Sequence, residues 1–372
     1  MNGAESLVRT LVNAGIEVCF TNPGTSEMHF VAALDRVPGM RCVLGLFEGV
    51  VTGAADGYAR MKDKPASTLL HLGPGLGNGL ANLHNARKAQ SPIVNIVGDH
   101  ATYHVEYDAP LTADVEGIAR PVSAWVRTSR SARSVAADGA EAVAAAWTRP
   151  GQVASLILPA NTAWEESDGP AEMPPLPEPP RVAEDRIRSV AAVLRSAEPT
   201  VILMAGRVLR ADGLAIAGAI AAATGARVIG QMSNARLERG AGRVTIDRVP
   251  YPIDQALAML EGVKNIVLVG AKAPVAFFAY PDKPSLLWPE DCAIHTLVEP
   301  QEDMLHALEW LAEELSAPKS GAVLQRLAPP SLPTDGPLDI DSIARAVGAL
   351  LPENAIVADE AIGSGRGLHP YT

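Results

Sequence analysis

Hydrophobic positions along the chain alternate between a helical period and short continuous runs. Over residues 4–14 the helical spacing places Leu7, Val8, Leu11 and Val12 on one face, and Gly15 ends that stretch as a C-cap would. Ile16 to Phe20 reads as a strand, followed by the tight turn Thr21-Asn-Pro-Gly-Thr25 and a helix from Glu27 to Leu34 capped by Thr25 or Ser26. Cys42 to Phe47 reads as a short buried strand that stops at Glu48, where small residues allow a closely packed helix up to Arg60. Ala66 to Leu72 is a third strand, Gly73 to Gly79 a glycine-rich turn, Leu80 to Ala89 a helix, and Pro92 to Val97 a fourth strand closed by Gly98. After a polar loop at 99–116 come a helix at 136–147 and a strand at 153–158. Such alternation predicts an α/β, doubly wound, mainly parallel sheet with ligands beyond the carboxyl ends of its strands.

Prolines at 170, 174, 175, 177, 179 and 180 then break the pattern and mark residues 166–183 as a stiff linker after a first domain at 1–165. A second α/β domain is expected at 184–316. Its helices fall at 185–196, 211–224 and 302–315, and its strands at 200–204, 226–230, 265–269 and 293–298. A Pro/Ser/Gly-rich linker at 317–336 precedes a tail at 337–372. That tail begins helix (340–350) and strand (355–358), like the incomplete start of a third α/β domain.

The charge balance changes the range of partners. Lys plus Arg is 31 and Asp plus Glu is 42, a net −11, with no basic stripe to meet phosphates, which argues against nucleic acid. Cys19, Cys42 and Cys292 are isolated, suit a reducing compartment and lack metal-ligand spacing. The N-terminus lacks a signal peptide's basic start and apolar core, and no apolar stretch reaches spanning length, so a cytoplasmic protein without a membrane partner is expected.

Glu48 is the first candidate for chemistry. A carboxyl walled by Leu46, Phe47 and Val50 would have its charged form disfavoured, as proton transfer near neutrality requires. Equally, an acid in a first helical turn suits the helix dipole. His71, between leucines at a strand's carboxyl end, is either a bonded core residue or a catalyst, and Thr25 is either a turn residue or a substrate-binding hydroxyl. The Gly73–Gly79 stretch fails the G-x-G-x-x-G spacing, since Asn78 stands where its last glycine would be, and it lacks a Walker lysine. His100 and His104, with Glu106 and Asp108, have an i, i+4 spacing that suits a metal on a helix, but their segment reads as a loop without the HExxH form. Arg127, Arg130 and Arg133 read as a solvated strand edge or subunit contact.

Taken together, Phe20-Thr-Asn-Pro-Gly24, Glu48 followed by Ala54-Ala-Asp-Gly-Tyr-Ala-Arg60, Gly73-Pro-Gly75 with Asn78, and Pro92-Ile-Val-Asn-Ile-Val-Gly98 resemble the thiamine-diphosphate enzymes of the acetolactate synthase type. Residues 1–165 resemble their pyrimidine-binding domain, 184–316 their central domain, and 337–372 the start of their diphosphate-binding domain. Within that superfamily, Asn22-Pro-Gly-Thr-Ser-Glu27, Leu70-His-Leu72 and Tyr107-Asp-Ala-Pro-Leu-Thr112 are similar to segments of benzoylformate decarboxylase.

The resemblance implies that Glu48 bonds N1′ of the cofactor's pyrimidine, that His71 shuttles protons to the adduct, and that Thr25 meets the substrate carboxylate. It puts Asn22, Pro23, Gly24, Gly73, Pro74, Gly75 and Asn78 around the cofactor. It also implies a homodimer or dimer of dimers acting on small 2-oxo acids, by decarboxylation or carboligation. Pyruvate giving acetolactate is the first reading, and an aromatic 2-oxo acid the alternative. Two departures stand out. The second active-site histidine expected near Ala279, within Ala273-Pro-Val-Ala-Phe-Phe-Ala-Tyr280, is replaced, and the chain ends before the Gly-Asp-Gly segment that holds Mg2+ and the diphosphate. No metal ligand is therefore expected in this chain, FAD or ADP in the central domain stays open, and a non-catalytic nucleotide-binding or assembly module is the competing reading.

Overall fold

The computed structural model describes residues 1–361 and 363–372. Contacts divide the chain into two units, residues 1–181 with 300–303 and residues 182–299 with 304–372.

The first unit contains strands β1 (Val18–Asn22), β2 (Arg41–Leu44), β3 (Ala66–Leu70), β4 (Ile93–Asp99), β5 (Trp125–Thr128) and β6 (Val153–Pro159), all parallel, in the order β2-β1-β3-β4-β6-β5. Its helices are α1 (Gly3–Asn13), α2 (Met28–Arg36), α3 (Glu48–Lys62), α4 (Leu72–Ala89), α5 (Val115–Ala119), α6 (Val135–Trp147) and α7 (Ala160–Trp164). Neighbouring strand residues serve opposite faces because side chains alternate across the pleat. Leu69, Ile96 and Leu156 join Leu7, Phe30 and Val143 on the α1/α2/α6 face. Leu70, Val97 and Ile157 join Val51, Leu76 and Val115 on the α3/α4/α5 face. Burial on both faces explains why these strands read as continuous apolar runs.

A polar rung crosses the middle of the sheet. Thr68 Oγ1 donates to Asn95 Oδ1 at 2.8 Å, Asn95 Nδ2 donates to Ser155 Oγ at 2.8 Å, and Ser155 and Ser123 share a bond of 2.7 Å. Thr68, Asn95 and Ser155 lie opposite one another in register and are fully buried, so a slip of one residue would strand each of them unpaired.

The second unit repeats the layered plan. Strands β7 (Thr200–Met204), β8 (Arg227–Gly230), β9 (Asp247–Arg248), β10 (Asn265–Val269) and β11 (Ala293–Val298) are parallel in the order β11-β10-β7-β8-β9. Helices α8 (Glu184–Arg195), α9 (Ala211–Thr224) and α11 (Met304–Glu314) cover one face, and α10 (Ile253–Leu260) covers the other. Helix α12 (Ile340–Leu350) follows, with Asp339 accepting from Ser342 N–H at its start. No helix among the described residues is long and apolar enough to cross a membrane.

The doubly wound, parallel reading holds for both sheets, and several local expectations are corrected. The buried strand expected at Cys42–Phe47 is the exposed edge strand β2, which ends at Leu44, because only β1 pairs with it. Gly73–Gly79 is not a turn: helix α4 starts at Leu72 and runs through it. Neither Thr25 nor Ser26 caps α2, whose N-cap is Glu27 without a side-chain cap bond. Residues 355–358 form no strand, since no strand among the described residues lies beside them to complete a ladder. The strand-edge reading of Arg127 holds: it lies partly exposed on the sheet's other edge strand, β5, paired with Asp138 at 3.0 Å and Glu141 at 2.6 Å of α6, and Arg130 and Arg133 are exposed.

Candidate functional site

Strands β2, β1, β3 and β4 are neighbours, so their carboxyl ends bring four segments side by side: residues 45–48, 22–27, 71–72 and 98–99. Asn22, the last residue of β1, donates from Nδ2 to the Gly45 carbonyl at 2.8 Å and so fixes the turn that leads into Glu48. At the other side of β1, Glu27 turns its side chain inward and is wholly buried. Its Oε2 accepts from Gly24 N–H at 2.7 Å and lies 2.7 Å from His71 Nδ1. Two glycines permit this approach. A Cβ on Gly24 would stand 2.3 Å from His71 Nδ1, and one on Gly98 would stand 1.6 Å from Glu27 Oε1. His71 follows β3 as the N-cap residue of α4, and buried Leu72 after it sits at φ +48, in the left-handed region that a bulky residue enters only at a cost.

Glu48 opens α3, half-buried. Its Oε2 accepts from Asn78 Nδ2 at 3.0 Å. The point where a Gly75 Cβ would stand lies 3.2 Å from Glu48 Oε1 and 3.3 Å from His71 Cβ. Glu48 Oε1 and the His71 Cβ thus flank one bare glycine, while the His71 ring turns to Glu27. The glycines of α4 serve close packing: Thr52 Oγ1 donates to the Gly79 carbonyl at 3.0 Å, and a Gly73 Cβ would stand 2.6 Å from the Ala113 methyl. Asn82 Nδ2 adds a bond to the Gly49 carbonyl at 2.7 Å. The apolar wall expected around Glu48 does not form among the described residues: Leu46 is 90% exposed, and Phe47 and Val50 are also exposed, because β2 is the edge strand of its sheet. Thr25 is exposed, Pro23 half-buried and Pro74 exposed.

Asp99, at the end of β4, has its carboxyl pushed above the ordinary range. Burial is the main cause and the nearby Glu27 charge adds to it, while the His100 N–H, donating at 2.8 Å, and the His100 ring oppose it. The His100 and His104 rings lie 5.6 Å apart, tilted by 55°, and His104 lies 5.8 Å from Tyr107, but only a short 3₁₀ turn at 105–107 forms there. Among the described residues no group of three or more His, Cys, Asp or Glu side chains converges as a cation site. Burial pushes the Cys19 thiol up to about 12, so it is an inert core group.

In the second unit the amino end of α9 already holds an anion. Glu238 Oε2 accepts from Ala211 N–H at 3.0 Å and from Arg243 at 2.8 Å, and Oε1 pairs with Arg236. Burial pushes that carboxyl up, but the Ala211 N–H, Arg236 and Arg243 bring it below its ordinary value. An open groove of about 540 Å³ in the same unit, lined by Leu257, Leu287 and Trp288 with Asp254 and Glu261, involves none of the residues singled out above.

Sequence reasoning missed Glu27, Gly98 and Asp99. The available signals were an acid three residues after Gly24, at capping spacing, and a Gly-Asp pair at the end of an apolar strand.

The carboxyl ends of the strands in a parallel, doubly wound unit, where Glu48 and His71 stand, are the place where proteins of this class bind ligands. The sequence profile of the thiamine pyrophosphate enzyme N-terminal TPP binding domain matches residues 1–118. A protein of Mycobacterium tuberculosis, provisionally named acetolactate synthase large subunit IlvX, is 54% identical over 360 residues, spanning 97% of this chain and 69% of that protein. The chain belongs to this family of thiamine pyrophosphate enzymes. Benzoylformate decarboxylase of Pseudomonas aeruginosa is 32% identical over 146 residues, 39% of this chain and 27% of that protein. In fold, a thiamine diphosphate-dependent 4-hydroxybenzoylformate decarboxylase of Rhodococcus jostii superposes with a TM-score of 0.84 at 22% identity, over 99% of this chain and 73% of the other.

Proposed function

We propose that the protein acts on small 2-oxo acids with thiamine diphosphate as cofactor, by decarboxylation or carboligation in the manner of an acetolactate synthase. The observation that carries this reading is that Glu48, held by Asn78, and His71, held by Glu27, stand on either side of bare Gly75 at the carboxyl ends of parallel strands. A side chain at 75 would wedge between Glu48 Oε1 and the His71 Cβ, so the bare backbone lets both groups lie close against the first turn of α4. When bound, the cofactor's thiazolium supplies an electron sink for loss of carbon dioxide.

This chain's residues do the rest. Asn22 holds the turn before α3 through Gly45, and Asn78 orients Glu48, so the carboxylate holds or releases a proton at the cofactor's pyrimidine nitrogen N1′. His71 moves protons at the substrate-derived part, and exposed Thr25, next to Gly24, binds the substrate carboxylate. Asn22, Pro23, Gly24, Gly73, Pro74, Gly75 and Asn78 form the cofactor's surroundings, with 1–165 as the pyrimidine-binding domain, 184–316 the central domain and 337–372 the start of the diphosphate-binding domain. No residue of this chain is assigned to Mg2+, which belongs with the diphosphate. A homodimer or dimer of dimers in the cytoplasm completes the proposal, as does the absence of a bound FAD or ADP at α9, where Glu238 fills the anion seat.

A second reading, an aromatic 2-oxo acid as substrate, is favoured by the Glu27-bound His71 and by the similarity to benzoylformate decarboxylase. Carbon dioxide release from pyruvate and from benzoylformate, with and without thiamine diphosphate, separates the two. Turnover that does not respond to the cofactor overturns both.

A further inference from the structure

We infer that Glu27 is a positioning residue that holds the His71 imidazole in its Nδ1–H tautomer and leaves the lone pair on Nε2. The inference deepens the proposed role of His71 and rests on it only for its functional consequence.

The hydrogen bonds fix the direction of donation. Glu27 Oε2 accepts from Gly24 N–H at 2.7 Å, a group that can only donate. The same oxygen lies 2.7 Å from His71 Nδ1. With the carboxylate as a shared acceptor, Nδ1 must carry the proton. A proton on Oε2 would leave the Gly24 N–H bonded to a hydroxyl lone pair, a poorer acceptor than a carboxylate.

Two further observations separate this role from plain turn capping. Satisfying one N–H at Gly24 requires one oxygen, yet Glu27 is wholly buried and its Oε1 finds no hydrogen-bond partner among the described residues, lying instead against bare Gly98. A buried acid with an orphaned oxygen costs stability relative to a neutral side chain of the same size. Next, His71 is the N-cap residue of α4 but makes no capping bond with its side chain. Its ring goes to Glu27, and Leu72 takes φ +48 directly after it. Backbone strain, an unspent cap and an orphaned carboxylate oxygen all lead to one contact, the Glu27–His71 bond.

The test is nitrogen NMR of the whole chain with 15N-labelled histidine, the His71 signals being assigned by their loss in His71→Gln. The expected result is an Nδ1–H, Nε2-lone-pair pattern for His71 in the wild type. Glu27→Gln, whose amide oxygen still accepts, should keep that pattern. Glu27→Met, which fills the same volume without an acceptor, should lose it. An Nε2–H pattern in the wild type overturns the inference without any variant, and so does an unchanged pattern in folded Glu27→Met. In the cofactor-loaded enzyme, Glu27→Met should lower kcat on the order of 10²-fold, rescued by Glu27→Gln, while exchange of the cofactor's ring proton in deuterated buffer, assigned to Glu48, is unchanged. Equal loss of that exchange would mean general disruption and overturn the positioning role. If the tautomer follows Glu27 as expected but His71→Ala keeps full turnover, the positioning stands and the catalytic role proposed for His71 falls.

Discussion

Glu48 Oε2 accepts a hydrogen bond from Asn78 Nδ2 at 3.0 Å, and this contact ties the first residue of α3 to the second turn of α4. Thr52 and Asn82 lock the same two helices further along. The carboxylate is therefore carried on a rigid pair of helices, whereas its own surroundings are open. In a first helical turn the charge alone contributes roughly 0.3–1 kcal/mol through the helix dipole. Glu48→Gln keeps the Asn78 bond, through the amide oxygen, and should stay folded with a stability loss of that size. If Glu48 moves a proton, turnover should nonetheless fall on the order of 10²–10⁴-fold. Exchange of the thiazolium C2 proton in deuterated buffer should slow in parallel. Wild-type exchange in Glu48→Gln would leave Glu48 with a structural role only.

Gly75→Ala separates the site from the scaffold. Alanine is the better helix former by roughly 1 kcal/mol, and the added methyl would meet Glu48 Oε1 at 3.2 Å and His71 Cβ at 3.3 Å. Those contacts are tight but within reach of a small shift of two partly exposed side chains. Thermal unfolding should therefore change little, while cofactor affinity falls about tenfold, the equivalent of about 1.4 kcal/mol. Titration of the variant with thiamine diphosphate checks this, and undiminished affinity would place the cofactor away from Gly75.

Gly98→Ala should behave in the opposite way and cost stability. Its methyl would stand 1.6 Å from Glu27 Oε1 and 2.5 Å from the carboxyl carbon, so the Glu27 side chain has to move. Displacing Glu27 breaks its bonds to Gly24 and His71. Overpacking of this kind costs about 1–3 kcal/mol. Because the clash partner is one side chain, Gly98→Ala combined with Glu27→Ala should be more stable than the sum of the two single changes allows. Denaturant unfolding of the four proteins reads that coupling, and strict additivity would show that the clash is relieved elsewhere.

The architecture was legible because buried parallel strands and their covering helices carry continuous apolar runs; Leu69-Leu70 and Ile96-Val97 each feed two faces at once. What was not legible follows from burial that sequence cannot assign. Cys42 to Phe47 is as apolar as a core strand, yet it stands at an edge, and Leu46 is exposed. The glycines at 73–79 read as turn signals because isolated glycines weaken helices, whereas here they admit Thr52, Glu48 and Ala113 against an α4 that starts before them. Glu48 and His71 could be singled out because each stands at the end of an apolar strand. Glu27 could not, because a polar residue in a turn gives no sign that its side chain turns inward to a histidine 44 positions later.

The tail gives a pH-dependent test of the second unit. His369 pairs with Arg239, lies 4.0 Å from Asp247, and is about a quarter exposed. Burial, then the positive charges of Arg239 and Arg248, hold its pKa down to about 4, with Asp247 acting in the opposite direction. In the unfolded chain the imidazole titrates near its ordinary value of about 6.5. Between those values the unfolded state binds more protons, so stability rises with pH. It is fully present above about 6.5 and is lost progressively as pH falls towards 4, by at most about 3 kcal/mol. His369→Gln removes the titrating group, so the stability difference between wild type and variant should shift in the variant's favour as pH falls from 7 to 4. Urea unfolding of both proteins across that range measures the shift, and the comparison cancels carboxylates that titrate in both. A difference that stays constant with pH would mean that His369 is not held neutral against Arg239 and Arg248.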